Sequence, residues 1–182
     1  VWQGVADRLA DVASARVADL TTQDTMAELA LDVLAKAPAR FALAGLSMGG
    51  YCALEIVARA PERVTALALV DTSARPDTPE GRTNREKQIA RAPGEFATIV
   101  EELLPKWVHP SRLDDHAVAD IVRAMARDVG AAAFARQQRA IMSRADSRPR
   151  LAAIRCPTAV VCGREDALLP LEVHEEMARG IP

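Results

Sequence analysis

The chain has 182 residues, of which 49% are hydrophobic and 26% charged; its net charge is −2 and its pI about 6.0. That is enough apolar material for the core of one globular domain. It is too little basic charge for a nucleic-acid surface or a polybasic membrane tail, and no apolar run approaches the ~20 residues of a membrane span.

Val1-Trp2-Gln3-Gly4-Val5 carries no signal-peptide pattern and no initiator methionine, so this end is not expected to be the natural start. Cys52, Cys156 and Cys162 form no C-x-x-C pair and sit in or beside apolar segments. That usage is the one expected of buried, reduced thiols in a cytoplasmic protein.

Periodicity predicts a first helix over residues 3–13, with Val5, Leu9 and Val12 on one face. Ala15–Leu20 reads as a short strand. Thr21-Thr22-Gln23-Asp24 is a polar turn able to cap a helix from about Thr25 to Lys36, whose apolar stripe is Met26, Leu29, Ala30, Val33 and Leu34. Arg40–Leu46 is apolar at almost every position, the pattern of a strand buried on both faces. A helix to about Ala60 follows, then Pro61 and a second continuous apolar strand, Val64–Val70, ending at Asp71. This alternation predicts an α/β fold: a parallel sheet with helices on both faces.

The pattern then changes. Residues 74–84 read as a loop, and from Arg85 to Ala145 no strand signal appears. Helical segments near 85–92, 94–104, 114–128 and 130–144 are broken at Pro93-Gly94, at Pro105 and Pro110, and at Gly130. These segments predict a helical cap over 75–148, inserted between core parts 1–74 and 149–182. The strand pattern returns at Cys156–Gly163, Arg164-Glu165-Asp166 follow, and a last helix runs from about Leu171 to Arg179.

Gly45-Leu46-Ser47-Met48-Gly49-Gly50 lies between the strand ending at Leu46 and the helix after it. Strand, sharp glycine-flanked turn with one serine, then helix is the pattern of a nucleophile elbow. It names an activated serine hydroxyl, Ser47, and makes the Met48 N–H, first in the helix, a candidate oxyanion donor. Such a serine needs a histidine base and an acid behind it. Asp166 follows a strand at its carboxyl end, where catalytic groups collect in α/β sheets. Asp71 does so too and is the fallback acid, with a hydrogen bond to the loop entering the cap as its simpler role.

Leu43-Ala44-Gly45-Leu46-Ser47-Met48-Gly49-Gly50 resembles the elbow of the α/β-hydrolase superfamily. Ala60-Pro61-Glu62-Arg63-Val64 and Leu67-Ala68-Leu69-Val70-Asp71-Thr72 are similar to the segments after the elbow in capped bacterial esterase-like members, and Gly163-Arg164-Glu165-Asp166-Ala167-Leu168-Leu169-Pro170 resembles the strand end bearing the acid. The resemblance implies a serine hydrolase acting through an acyl-enzyme on a small-molecule ester-like substrate, with Ser47 as nucleophile, Asp166 as acid and the helical insertion as lid. Esters, lactones, thioesters, peracid formation and C–C cleavage of diketones all stay open.

The same resemblance calls for a histidine one strand after Asp166. Only His174 comes after that residue, on a helix, where a solvent-facing position turned away from the elbow is expected; His109 and His116 lie in the cap. The loop giving the second oxyanion donor and the first three strands are not present either, so the chain is expected to be an internal fragment of a longer hydrolase. The competing expectation is a shortened, non-catalytic binding domain. In the cap, Phe96, Trp107, Phe134, Ile141 and Met142 are candidates for an apolar acyl pocket, with Trp107, Phe134 and Met142 foremost and packing within the lid as the alternative. No His/Cys/Asp/Glu cluster has metal-ligand spacing and no phosphate-loop signature appears, so no metal or cofactor is implied. Oligomeric state is left open.

Overall fold

The computed structural model describes residues 2–182. Its regular elements are α1 (Gln3–Arg8), α2 (Met26–Lys36), β1 (Phe41–Leu46), α3 (Met48–Arg59), β2 (Val64–Val70), α4 (Pro79–Trp107), α5 (His116–Met142), β3 (Thr158–Val161) and α6 (Leu171–Gly180). The three strands form a parallel sheet in the order β1-β2-β3. Their registers align Leu46 with Val70 and Val70 with Val161, so all three strands end at one level. The core gathers where α2, α3 and α6 meet the sheet: Leu29, Ile56, Leu69 and Met177 are fully buried. No helix among the described residues is long and apolar enough to cross a membrane.

The amino-terminal part departs from expectation. α1 stops at Arg8 and buries none of its residues. Residues 13–20 form no strand, and all but Leu20 are exposed. A strand is stable only beside another, and β1 is an edge of this sheet with no neighbour on its outer side among the described residues. The segment docks instead on the end of α5, where Gln137 and Arg136 donate to the Leu20 and Thr21 carbonyls. Thr25 caps α2, its hydroxyl oxygen accepting from the Glu28 N–H and donating to the Glu28 carboxylate.

β1 also differs from the fully buried strand its apolar run suggests. Ala42 and Ala44 are exposed, while Phe41, Leu43 and Gly45 turn toward α2 and α3. Between β2 and β3 the expected helices are there, fused into two long kinked ones that pack together. α4 breaks at Glu95 (φ −125°), just after Pro93-Gly94, and α5 at Gly130 (φ 72°). α4 starts six residues before the expected Arg85, because the Thr78 hydroxyl accepts from the Gly81 N–H and Pro79 is pre-shaped for a first turn.

Arg63, in the 3₁₀ turn before β2, binds α2 to the sheet. Its guanidinium donates to the Leu34 (3.0 Å), Ala37 (2.9 Å), Pro38 (2.7 Å) and Ala39 (3.3 Å) carbonyls and lies 5.6 Å from the centre of the Phe41 ring. The orphan carbonyls at a helix end are thereby satisfied. Arg63→Ala is expected to lower the unfolding free energy by about 2–3 kcal/mol, the scale of charge-assisted bonds. Arg63→Lys should recover less than half of the loss, because an ammonium cannot span these carbonyls as a planar fork does. Urea denaturation of the two variants measures both.

Candidate active site

Ser47 stands between β1 and α3 with φ 50° and ψ −115°, a backbone state that non-glycine residues rarely adopt. The residue is exposed, at the carboxyl end of the sheet. Its backbone is held on both sides. The Ser47 N–H donates to the Val70 carbonyl at 2.9 Å, extending the β1–β2 ladder by one bond. The Ser47 carbonyl accepts from the Gly50 N–H (2.9 Å), the Tyr51 N–H (3.3 Å) and the Thr72 hydroxyl (2.8 Å). The Met48 and Gly49 N–H groups open the helix, where no intrahelical acceptor exists, and the positive end of the α3 dipole adds to them.

Gly45 and Gly49 are the glycines two places either side of Ser47, where a nucleophile elbow calls for close packing. The structure requires glycine at Gly45 and Gly50. A Cβ on Gly45 would strike the Gly49 carbonyl, and one on Gly50 the Thr72 side chain, whereas one on Gly49 meets nothing within 4 Å.

Asp166 lies half-buried in the loop after β3. Its Oδ1 accepts from the Leu168 (2.8 Å) and Leu169 (3.0 Å) N–H groups, and among the described residues no bond falls on Oδ2. Adjacent strands lie ~4.8 Å apart, so the carboxyl ends of β1 and β3, with β2 between them, are about 10 Å apart. Ser47 and the Asp166 loop therefore share one edge of the sheet. The Asp166 charge also reaches Tyr51, four residues after Ser47. Burial pushes the Tyr51 hydroxyl above its ordinary range, Arg144 and Arg85 pull it back, and Asp77 and Asp166 add to the rise.

Asp71 does not bond the loop entering the cap. Its φ is 39°, its N–H donates to the Val161 carbonyl and its Oδ1 accepts from the Gly163 N–H at 2.9 Å. It ties β2 to the start of the Asp166 loop.

His174, expected to face solvent on α6, is buried. The residue is 2% exposed and faces Thr72, just past the end of β2, rather than solvent. Its Nε2 accepts from the Thr72 N–H at 3.0 Å, and Nδ1 lies 3.3 Å from the Pro170 carbonyl. A signal was available in the sequence: His174 is three residues from both Leu171 and Met177, on the apolar stripe of α6. His109 sits between α4 and α5, with Nε2 3.1 Å from the Glu165 carboxylate, and His116 opens α5 exposed to solvent.

A partly buried polar strut joins the helical insertion to α3. Asp77 receives Arg85 and Arg144, both at 3.1 Å, and the Arg144 guanidinium lies 4.4 Å from the centre of the Tyr51 ring. Phe134 is buried against Phe96 inside the insertion, ring centres 5.2 Å apart. Trp107 is 46% exposed at the end of α4, and Met142 is half-buried at the end of α5. A groove of about 570 Å³ between α3 and the 3₁₀ turn Arg148–Ala153 includes neither Ser47 nor Asp166 in its lining. All three cysteines are free: Cys52 is buried, Cys156 and Cys162 half-buried. Burial, with Glu55 nearby, pushes the Cys52 thiol up to about 12, which removes it as a nucleophile. Among the described residues no group of His, Cys, Asp and Glu could hold a metal ion.

The model of the alpha/beta hydrolase family matches residues 2–182. The chain belongs to that family.

Among its relatives, carbamate hydrolase RutD of Azorhizobium caulinodans is 33% identical over 150 residues, which is 77% of this chain and 54% of that protein. The pimeloyl-[acyl-carrier protein] methyl ester esterase of Aliivibrio salmonicida is 26% identical over all of this chain and 75% of its own length. The chain thus spans about half of the first relative and three quarters of the second. Among solved structures, a thermophilic esterase from Thermogutta terrifontis superposes with a TM-score of 0.87 at 31% identity, over all of this chain and 72% of the esterase. The enol-lactonase of Burkholderia xenovorans does so with a TM-score of 0.76 at 29% identity, over 86% of this chain and 61% of its own.

The glycine contacts predict opposite outcomes at adjacent positions. Gly50→Ala is expected to destabilise by about 1–3 kcal/mol, as overpacking against Thr72 does. Gly49→Ala should be neutral or stabilising by up to about 1 kcal/mol, since alanine is the better helix former. Thermal unfolding of the pair distinguishes them.

Proposed function

We propose that the protein is a serine hydrolase that cleaves an ester-like carbonyl substrate through an acyl-enzyme, with Ser47 as nucleophile, the Met48 N–H as an oxyanion donor and Asp166 as the acid. The observation that carries this reading is the Ser47 backbone. A serine held at positive φ, exposed between a strand end and a helix start, is strained for a purpose, and the strain presents its hydroxyl above the sheet.

In the reaction, Ser47 Oγ bonds to the substrate carbonyl carbon and its proton passes to an imidazole base. The oxygen that becomes negative faces the Met48 N–H and the positive end of α3. The carbon–oxygen bond to the leaving group breaks, the imidazole proton goes to the departing alcohol, and water then hydrolyses the acyl-serine by the same steps in reverse roles. Asp166 would orient the imidazole through Oδ2, while Oδ1 stays fixed by the Leu168 and Leu169 N–H groups.

None of the three placed histidines offers that base. The Nε2 lone pair of His174 is taken by Thr72, His109 is paired with Glu165, and His116 stands at the start of α5. The relatives are longer than this chain, and the base is assigned to the additional length of a longer parent protein. The relatives' names fit a small-molecule ester, lactone or carbamate carbonyl as substrate. Residues 75–148 act as the cap, between core parts 1–74 and 149–182. Trp107 and Met142 keep surface that a substrate's acyl part can meet, whereas Phe134 packs within the cap against Phe96.

The engaged ring of His174 favours one other reading, a binding domain without catalysis. Turnover of a p-nitrophenyl ester by the full-length product decides between them. Ser47→Ala should lower kcat by roughly 10³-fold or more. Asp166→Asn keeps the Oδ1 acceptor but loses the charge, and should lower kcat by roughly 10²–10⁴-fold. Hydrolysis that persists unchanged in Ser47→Ala would sink the first reading.

A further inference from the structure

His174, Thr72 and the Ser47 carbonyl form a relay of two hydrogen bonds from the last helix to the turn that bears Ser47. Thr72 is fully buried and uses both of its donors: its N–H goes to His174 Nε2 at 3.0 Å and its hydroxyl to the Ser47 carbonyl at 2.8 Å. A nitrogen that accepts a hydrogen bond carries no proton, so the His174 proton sits on Nδ1, which faces the Pro170 carbonyl at 3.3 Å. These partners assign the ring the Nδ1–H tautomer with Nε2 unprotonated.

The relay ends on the one peptide whose direction matters. The Ser47 carbonyl also receives the Gly50 and Tyr51 N–H groups, so its position sets the first turn of α3 and the direction of the Met48 N–H. Gly50 lets the Thr72 side chain in, and Asp71, next to it, is held at φ 39° between β2 and Gly163. A polar group buried at this depth without a partner is costly, which makes the acceptor on His174 a requirement for Thr72 to stay where it is.

We propose that His174 is a positioning residue for the nucleophile: as a neutral imidazole protonated on Nδ1 it fixes Thr72, and through the Thr72 hydroxyl it fixes the Ser47 peptide. The proposal rests on the reading of Ser47 as nucleophile. It gives α6, which carries no residue of that reading, a part in the reaction.

Two measurements test it. The first is the imidazole ¹⁵N spectrum of the folded protein, which reports the tautomer whether or not Ser47 reacts. The expected result is an unprotonated Nε2 and a protonated Nδ1; a proton on Nε2 overturns the proposal. The second is ester turnover by the full-length product. His174→Gln places a side-chain oxygen that can accept from Thr72 and should keep kcat within about threefold, while His174→Phe, with no acceptor, should lower kcat by roughly 10–100-fold at unchanged KM, the scale of a small misplacement at a reacting group. Should His174→Phe fail to fold, Thr72→Val and Thr72→Ser carry the same comparison, with loss expected in the first and retention in the second. Equal turnover in the variants with and without the polar group contradicts the proposal. A wild-type protein that turns over no ester counts against the nucleophile reading, and the ¹⁵N spectrum still decides the tautomer.

Discussion

The bond from the Thr72 hydroxyl to the Ser47 carbonyl is the point on which the carboxyl edge of this sheet is organised. Serine does not hold φ 50° unaided; such a residue costs on the order of 1–3 kcal/mol, which its surroundings must offset. Four contacts do so here. β2 takes the Ser47 N–H, Thr72 takes its carbonyl, Gly45 admits the Gly49 carbonyl, and Gly50 admits the Thr72 side chain. Because Thr72 lies just past the end of β2, the elbow is fixed by the neighbouring strand rather than by its own helix alone. Asp71 extends the arrangement to the Gly163 N–H, so the Ser47 turn and the Asp166 loop hang from two consecutive residues.

The helical insertion is tied to the same region. Asp77 lies only five residues past Thr72, and with Arg85 and Arg144 it connects both ends of the α4–α5 pair to Tyr51 on α3. Partly burying two arginines and a carboxylate contributes little net stability. The strut instead supplies a fixed attachment of both ends of the insertion beside the elbow. The inner packing of the insertion is separate, built on Ala92, Ile99 and Phe134 in one cluster and Leu104, Val108 and Ala119 in another.

Much of this architecture is legible in the sequence, because the strongest signals are local. The apolar run Phe41–Leu46, the glycines around Ser47 and the periodic residues after it specify strand, turn and helix without reference to anything distant. Pro93-Gly94 and Gly130 mark the two kinks. The features that are not legible share one cause, dependence on a partner far along the chain. Ala15–Leu20 has strand-like residues, but no neighbour on the outer side of β1 to pair with among the described residues. The need for glycine at Gly50 rather than Gly49 comes from Thr72, 22 positions away. The apolar stripe of α6 hints at the burial of His174, but its partner is a backbone N–H 102 residues earlier, which no side-chain pattern announces. Aspartate adopts a left-handed backbone more readily than most residues, but the partners that hold Asp71 there, Val161 and Gly163, are about 90 residues away.

The catalytic reading stands on Ser47 being a hydroxyl activated by its surroundings rather than a serine in a tight turn. The measurement that reaches this most directly is treatment of the folded full-length protein with a fluorophosphonate, with intact mass and peptide mapping as the readout. An activated Ser47 gives one adduct per chain, carried by the peptide containing that residue, and none in an alanine variant at that position. An unmodified protein, or an adduct mapped to any other serine, would contradict it.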